Sequence, residues 1–227
     1  MLEKVERVTT DKVVAEKLKQ WIVENDLNAG EKLPTEQQLS EELGVARHTL
    51  REGIKRLSQL GIVCSKVGSG IYISDVNFDN VAEYMLYLKQ RGYISLEDLY
   101  VVRKTLECKV AELAAAAIDE EHMRLLQELV EQMDLSAHSR DFETYVMQDV
   151  AFHMTLAEST GNHLFSGIIS ALRQVFLEHM SSLDSATAEN SSRQHREILK
   201  AMGEHNADLA RQLMDEHLSD IQDTFLK

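Results

Sequence analysis

The stretch from Thr35 to Ile73 constrains this chain most, because it sets a capped helix, a glycine turn, a basic helix and a glycine-tipped hairpin in immediate succession. Pro34 sets up Thr35 as the N-cap of a helix through Leu39 and Leu43, and Gly44 turns the chain. A second helix is expected from near Ala46 to about Leu60. It buries Leu50, Ile54 and Leu57 and presents Arg47, His48, Arg51 and Lys55 elsewhere. Two short helices joined by a glycine, the second basic at its start, predict a helix-turn-helix. Gly61 ends the basic helix. Ile62-Val63-Cys64 and Ile71-Tyr72-Ile73 then flank a Ser-Lys-Val-Gly-Ser-Gly tip, which predicts a hairpin wing. The Gly-Ser-Gly triplet lacks the following Gly-Lys-Ser/Thr or helix that a phosphate-binding loop needs. Upstream, Asp11 is read as the cap of a scaffold helix with Val14, Leu18, Trp21 and Ile22 inward, followed by a loop marked by Asn28, Gly30 and Pro34.

Charge decides whether such a unit can meet a polyanion. The chain has 24 Lys+Arg against 38 Asp+Glu, a formal net charge of -14. Residues 1–75 hold 11 basic and 12 acidic residues, which leaves 13 and 26 for the remainder. Within residues 44–70 five basic side chains (Arg47, Arg51, Lys55, Arg56, Lys66) face Glu52 alone. The local field is therefore positive where the helix-turn-helix lies, while the rest of the chain repels phosphate. Taken by itself, a basic helix face is as readily a solvated surface as a DNA-binding one.

The run LPTEQQLSEELGVARHTLREGIKRLSQLGIV followed by KVGSGIYI resembles the N-terminal winged helix-turn-helix of the GntR family of bacterial transcription regulators. That resemblance implies that Arg47, Thr49 and Arg51 meet a double-stranded DNA operator, with Gly68 letting the wing tip approach the minor groove. An arginine bidentate to guanine discriminates by roughly 1–3 kcal/mol, which makes Arg47 and Arg51 the leading readers. Gln37, Ala46 and His48 depart from the residues usual at their places. Gln37 and His48 therefore join the DNA-facing set with an operator preference of their own.

Asp75 to Asn80 is a polar connector, giving expected domains of 1–74, a linker at 75–80, and 81–227. The C-terminal part divides into about seven helical stretches, near 80–90, 95–117, 119–137, 139–160, 162–184, 190–202 and 205–226, with Gly92, Gly161 and Gly203 at breaks. No strand-period run appears there, so the fold class is mainly α, a winged helix-turn-helix plus an all-α bundle. Ala114 to Ala117 reads as a close-packing helix surface.

Chemistry is expected where polar residues fall on apolar helix faces. Asp149 and His153 are four apart, on one face with Phe152 and Leu156. His195 accompanies Ile198, Leu199 and Met202, and His217 accompanies Leu213, Met214 and Ile221. A carboxylate and three neutral imidazoles suit zinc or a related divalent metal, with room for water or a ligand oxygen. Each part alone is weak, since an inward histidine is more often a hydrogen-bonded core residue. His122, His138 and His205 read as surface positions, and His163 and His179 stay open. Arg103 shares an inner face with Leu99, Leu106 and Val110, and its bland role is a salt bridge to Glu107 one turn on.

DVAFHMTLAESTGN, followed by QHREILKAM and LMDEHL, is similar to the effector-binding FCD domain of the FadR-like GntR subgroup. The similarity implies Asp149, His153, His195 and His217 as ligands of a divalent metal, zinc first, with nickel or manganese as alternatives. It also implies that Arg103 clamps the carboxylate of a small organic acid effector, with Asn162 and Arg173 as weaker pocket candidates. The expected protein is a ligand-responsive DNA-binding regulator, by default a repressor. It would be a homodimer, because a single wing domain reads too few base pairs. A metal-dependent hydrolase or lyase fused to a DNA-binding domain, and a direct metal sensor, are the competing readings. Cys64 and Cys108 form no CxxC pair and no apolar run is long enough to span a bilayer, so a reduced, cytoplasmic setting without membrane is expected.

Overall fold

A computed structural model describes residues 10–75, 78–177 and 184–226, and the chain divides into two compact units, Met1–Asn80 and Val81–Lys227. The first unit contains α1 (Thr10–Glu24), α2 (Glu36–Leu43), α3 (Arg47–Gln59), β1 (Val63–Lys66) and β2 (Gly70–Ile73). Asp11 lies in the first turn of α1 and is not its cap. α2 starts as expected: Thr35 Oγ1 accepts the Gln38 N–H while Gln38 Oε1 accepts the Thr35 N–H, a reciprocal capping box. Gly44 ends α2 at φ 64, the left-handed conformation that favours glycine. Ala46, having no hydroxyl, starts α3 without a side-chain cap.

The wing strands pair antiparallel in the register Val63↔Ile73 to Lys66↔Gly70. A segment read as loop joins them. Lys32 bridges to Tyr72, the Leu33 N–H donates to the Ile71 carbonyl at 2.8 Å, and the Ile73 N–H donates to the Glu31 carbonyl at 2.8 Å. Pairing across this distance in sequence leaves no local pattern. The core joins Val14, Leu18 and Ile22 to Leu39, Leu50, Ile54, Leu57, Val63 and Ile71, with Trp21 only partly buried against them. Each fully buried aliphatic side chain there contributes roughly 1.5–3 kcal/mol. α1 and α3 approach closely at Gly53, where a Cβ would stand 2.6 Å from Val14 Cγ1.

The second unit holds, among the described residues, seven helices: α4 (Asp79–Gln90, its first residues in the preceding unit), α5 (Leu96–Ala117), α6 (Glu120–Ser139), α7 (Phe142–Ser159), α8 (His163–Leu177), α9 (Ser185–Gly203) and α10 (Ala207–Phe225). The all-α expectation holds. α9 begins at Ser185 rather than near residue 190, because Asp184 accepts the Thr187 N–H at 2.8 Å and caps it. The end of the stretch expected over 162–184, with His179, lies outside the described residues, as do residues 76 and 77 of the expected linker. Gly92 and Gly161 mark breaks, but Gly203 is helical, and His205 takes the left-handed φ of 52 after it.

α10 packs along α5, and α6 lies against both α7 and α9. Their apolar core includes Val110, Ala111, Ala114, Ala115, Leu126, Met133, Phe152, Leu156, Ile198 and Met214. A smaller cluster of Leu99, Tyr100, Leu172, Val175, Phe176 and Ile221 ties α5, α8 and α10 together. Within this packing lie buried polar side chains that need partners, and these define the site.

Candidate metal centre and DNA-facing surface

α7 repeats a buried stripe at helical spacing, Tyr145, Asp149, Phe152, His153 and Leu156, which carries a carboxylate and an imidazole inward with the aromatic core. α9 presents His195 and α10 presents His217 to the same point. One donor atom from each of Asp149, His153, His195 and His217 lies within 4.8 Å of the others. All four residues are at most 3% exposed. The Nε2 atoms of His153 and His195 face each other at 3.3 Å, and Asp149 Oδ1 stands 3.7 Å from the first and 3.4 Å from the second. Phe152 meets the His195 ring edge-on at 4.6 Å.

The outer atoms of His153, His217 and Asp149 are engaged, whereas His195 Nδ1 is buried with no hydrogen-bond partner among the described residues. His153 Nδ1 pairs with Glu107 Oε2 of α5, and Arg103 Nε donates to the other Glu107 oxygen at 2.7 Å. His217 Nδ1 pairs with Gln194 Oε1 at 3.1 Å, and Gln194 Nε2 donates to Asp220 Oδ2 at 2.7 Å. Both terminal nitrogens of Arg173 donate to Asp149 Oδ2 at 3.0 Å. His217 Nε2 is buried with no hydrogen-bond partner among the described residues. Inward Nε2 atoms and one free carboxylate oxygen around a common point are the donor set a divalent cation accepts, so the residues fit a metal ion.

Electrostatics agree with that protonation pattern. Burial pushes the His195 imidazole down to about 3, against the opposing pull of Asp149, and burial with its two imidazole neighbours takes His217 well below the usual range. Burial alone would raise the two carboxyls, yet Arg103 and then His153 hold Glu107, and Arg173 holds Asp149, well below the ordinary carboxylate range. Neutral imidazoles and ionised carboxylates are the forms that bind a metal.

Arg103 and Arg173, each 3% exposed, therefore join the four ligand candidates in one buried group. Arg103 has the Glu107 partner that its bland role requires, and its guanidinium also lies 5.2 Å from the Phe176 ring centre. Asn162 stands apart: it is exposed at the start of α8, where its Oδ1 accepts the Leu164 N–H. Sequence spacing links Glu107 only to Arg103, and no sequence pattern singles out Gln194. Glu107 was reachable through its four-residue spacing from Arg103. Gln194 was not, because it adjoins His195 and its role depends on a different helix.

At the other unit, the first turns of α3 carry Arg47 and His48 exposed, with Thr49 Oγ1 3.2 Å from His48 Nε2. Arg51 is exposed too, yet its Nε donates to Glu36 Oε2 at 2.8 Å, so the α2 start orients it. Gln37 is exposed and donates to Glu41 at 3.1 Å. Gly68, at φ 71, sits at the exposed wing tip with open space around it.

With this geometry in place, two family models match the chain: bacterial regulatory proteins of the gntR family over residues 10–73, and the FCD domain over residues 98–220. The uncharacterized HTH-type transcriptional regulator YcbG of Bacillus subtilis is 30% identical over 226 residues, covering 100% of this chain and 94% of that protein. The HTH-type transcriptional repressor NanR of Enterobacter sp. is 28% identical over 223 residues, covering 94% of this chain and 84% of that protein. Among solved structures, Streptococcus agalactiae GntR superposes with a TM-score of 0.78 at 30% identity, covering 94% of this chain and 99% of that one.

Proposed function

Because this chain belongs to the GntR family of transcription regulators and carries an FCD domain, we propose that it is a metal-dependent, effector-responsive repressor. Its relatives are transcriptional regulators and not enzymes, and the family binds DNA operators. The observation that carries the finer reading is the convergence of Asp149 Oδ1 and three imidazole nitrogens on one buried point, with His217 Nε2 left without a hydrogen-bond partner among the described residues. A bound divalent ion, zinc first and nickel or manganese next, would supply a Lewis-acidic centre at which a small organic acid places a carboxylate oxygen.

Arg103 and Arg173 are the cations that would greet such an acid. Both already hold carboxylates of the protein, Glu107 and Asp149. An effector carboxylate that drew either away would alter the grip on His153 or on Asp149, and thereby the packing of α5, α7 and α8. Such an acid shifts the protein only to the extent that it binds one arrangement better than the other. The second unit would pair two copies, since two half-sites on a duplex demand two recognition helices. Arg47, His48, Thr49 and Arg51, with Gln37 and Gly68, would face DNA in each copy. A reader of operators works where DNA is, in the cytoplasm, and among the described residues no helix is long and apolar enough to cross a membrane.

Metal analysis and mass spectrometry of the purified protein test this reading, followed by thermal-shift screening of carboxylic acids. An acid that raises the melting temperature only in the metal-loaded protein, is recovered unchanged and releases DNA is the expected outcome. Conversion of that acid to product would favour an enzyme instead.

A further inference from the structure

Among the groups around the four convergent donors, Gln194 stands apart as a neutral amide, and its surroundings fix its orientation. Its side chain lies 7% exposed on α9 and reaches across to two residues of α10. An amide can be turned end for end, but here only one way satisfies both contacts. Asp220 offers a carboxylate oxygen 2.7 Å away, which accepts and never donates, so the amide nitrogen must face it. The amide oxygen then faces His217 Nδ1 at 3.1 Å and requires a hydrogen there. A neutral imidazole carries one N–H, so His217 Nε2 is left as a bare lone pair aimed at the common point of the donors.

We propose that Gln194, oriented by Asp220, is the positioning residue that fixes the tautomer and ring angle of His217 for metal binding; this rests on the metal reading above. It serves His217 as Glu107 serves His153, with a neutral amide in place of a carboxylate. Outer partners of metal-bound histidines typically change affinity by roughly 10–100-fold when removed. The chain Asp220–Gln194–His217 also ties α9 to α10 through the site.

Competitive chelator titration of the full-length protein with Co²⁺, alongside its visible absorption spectrum, tests this. Gln194→Leu keeps the shape and removes the acceptor. It should weaken Co²⁺ binding by roughly 10–100-fold and change the absorption envelope, with the metal-free melting temperature moving far less. Asp220→Asn, at an exposed position, removes the bias on amide orientation without disturbing the core, and should weaken binding by a smaller factor. The double variant Gln194→Glu with Asp220→Asn exchanges donor and acceptor between the two positions and should restore most of the affinity and the spectrum. Unchanged affinity and spectrum in both Gln194→Leu and Asp220→Asn would overturn the role of Gln194 while leaving the metal site standing. No Co²⁺ binding by the unaltered protein would remove the site itself, and the proposal with it.

Discussion

Arg173 donates two N–H groups to one oxygen of Asp149, each at 3.0 Å, and leaves the other oxygen facing the Nε2 atoms of His153 and His195. The pair is buried on both sides, so each member is the main compensation for desolvating the other. Arg173→Ala strands the Asp149 charge in an apolar core and is expected to cost about 3–5 kcal/mol in the metal-free protein. A divalent cation at the site would replace part of that compensation. Urea unfolding with and without zinc measures both effects, and a variant equally stable in the two conditions argues against a cation beside Asp149.

Metal removal should expose the same coupling from the other side. At a free metal concentration 100 times the dissociation constant, binding to the native state adds about 2.7 kcal/mol. The melting temperature of the protein should therefore fall on chelation and recover with zinc. His195→Ala and His217→Ala should show little of this response and reduced metal content by elemental analysis. A His195→Ala protein with full metal content would rule out the four-ligand site.

Arg103 divides two readings cleanly. Its guanidinium is held by Glu107, which in turn holds His153. If Arg103 also clamps the effector, Arg103→Ala abolishes the thermal response to the organic acid while Arg103→Lys, which keeps the charge without the planar fork, restores only part. If its role is structural alone, both variants lose stability and keep the acid response after correction for metal content. Isothermal titration of the metal-loaded variants separates the outcomes.

Arg47 tests the proposed DNA-facing surface independently. It lies exposed at the first position of α3, and among the described residues no carboxylate pairs with it as Glu36 pairs with Arg51. Arg47→Ala should cost roughly 1–3 kcal/mol of discrimination between operator and altered operator, measured by fluorescence anisotropy at fixed salt. Intact discrimination would displace Arg47 from the base-reading set.

Burial, with Asp215 adding to it, pushes the Cys108 thiol up to about 11. Only the thiolate reacts, so at pH 8 about one Cys108 in a thousand is reactive at any moment, and reactivity grows as pH rises toward that value. Iodoacetamide at pH 8 should label Cys64, which is half-buried on the wing, and reach Cys108 at a comparable rate only in denaturant. Peptide mass spectrometry reports the two sites separately.

Most of the fold was legible because its signals are local. The spacing of Leu50, Ile54 and Leu57 declares a helix face, Thr35 after Pro34 declares a helix start, and Gly44 permits the left-handed turn between two helices. The same periodicity placed Asp149, His153, His195 and His217 inward on three helices. Partners across helices were not legible, because side chains from α5, α7, α8, α9 and α10 meet only after the bundle closes. The amino-acid order by itself determined that the chain has a helix-turn-helix with a wing and an all-α partner containing inward polar groups. Only the tertiary structure decided that Arg173 locks Asp149, that Glu107 joins Arg103 to His153, and that Gln194 turns His217 toward the centre. Low-dielectric burial makes each of those groups depend on a partner that its own helix does not supply, except for the one-turn pair of Arg103 and Glu107.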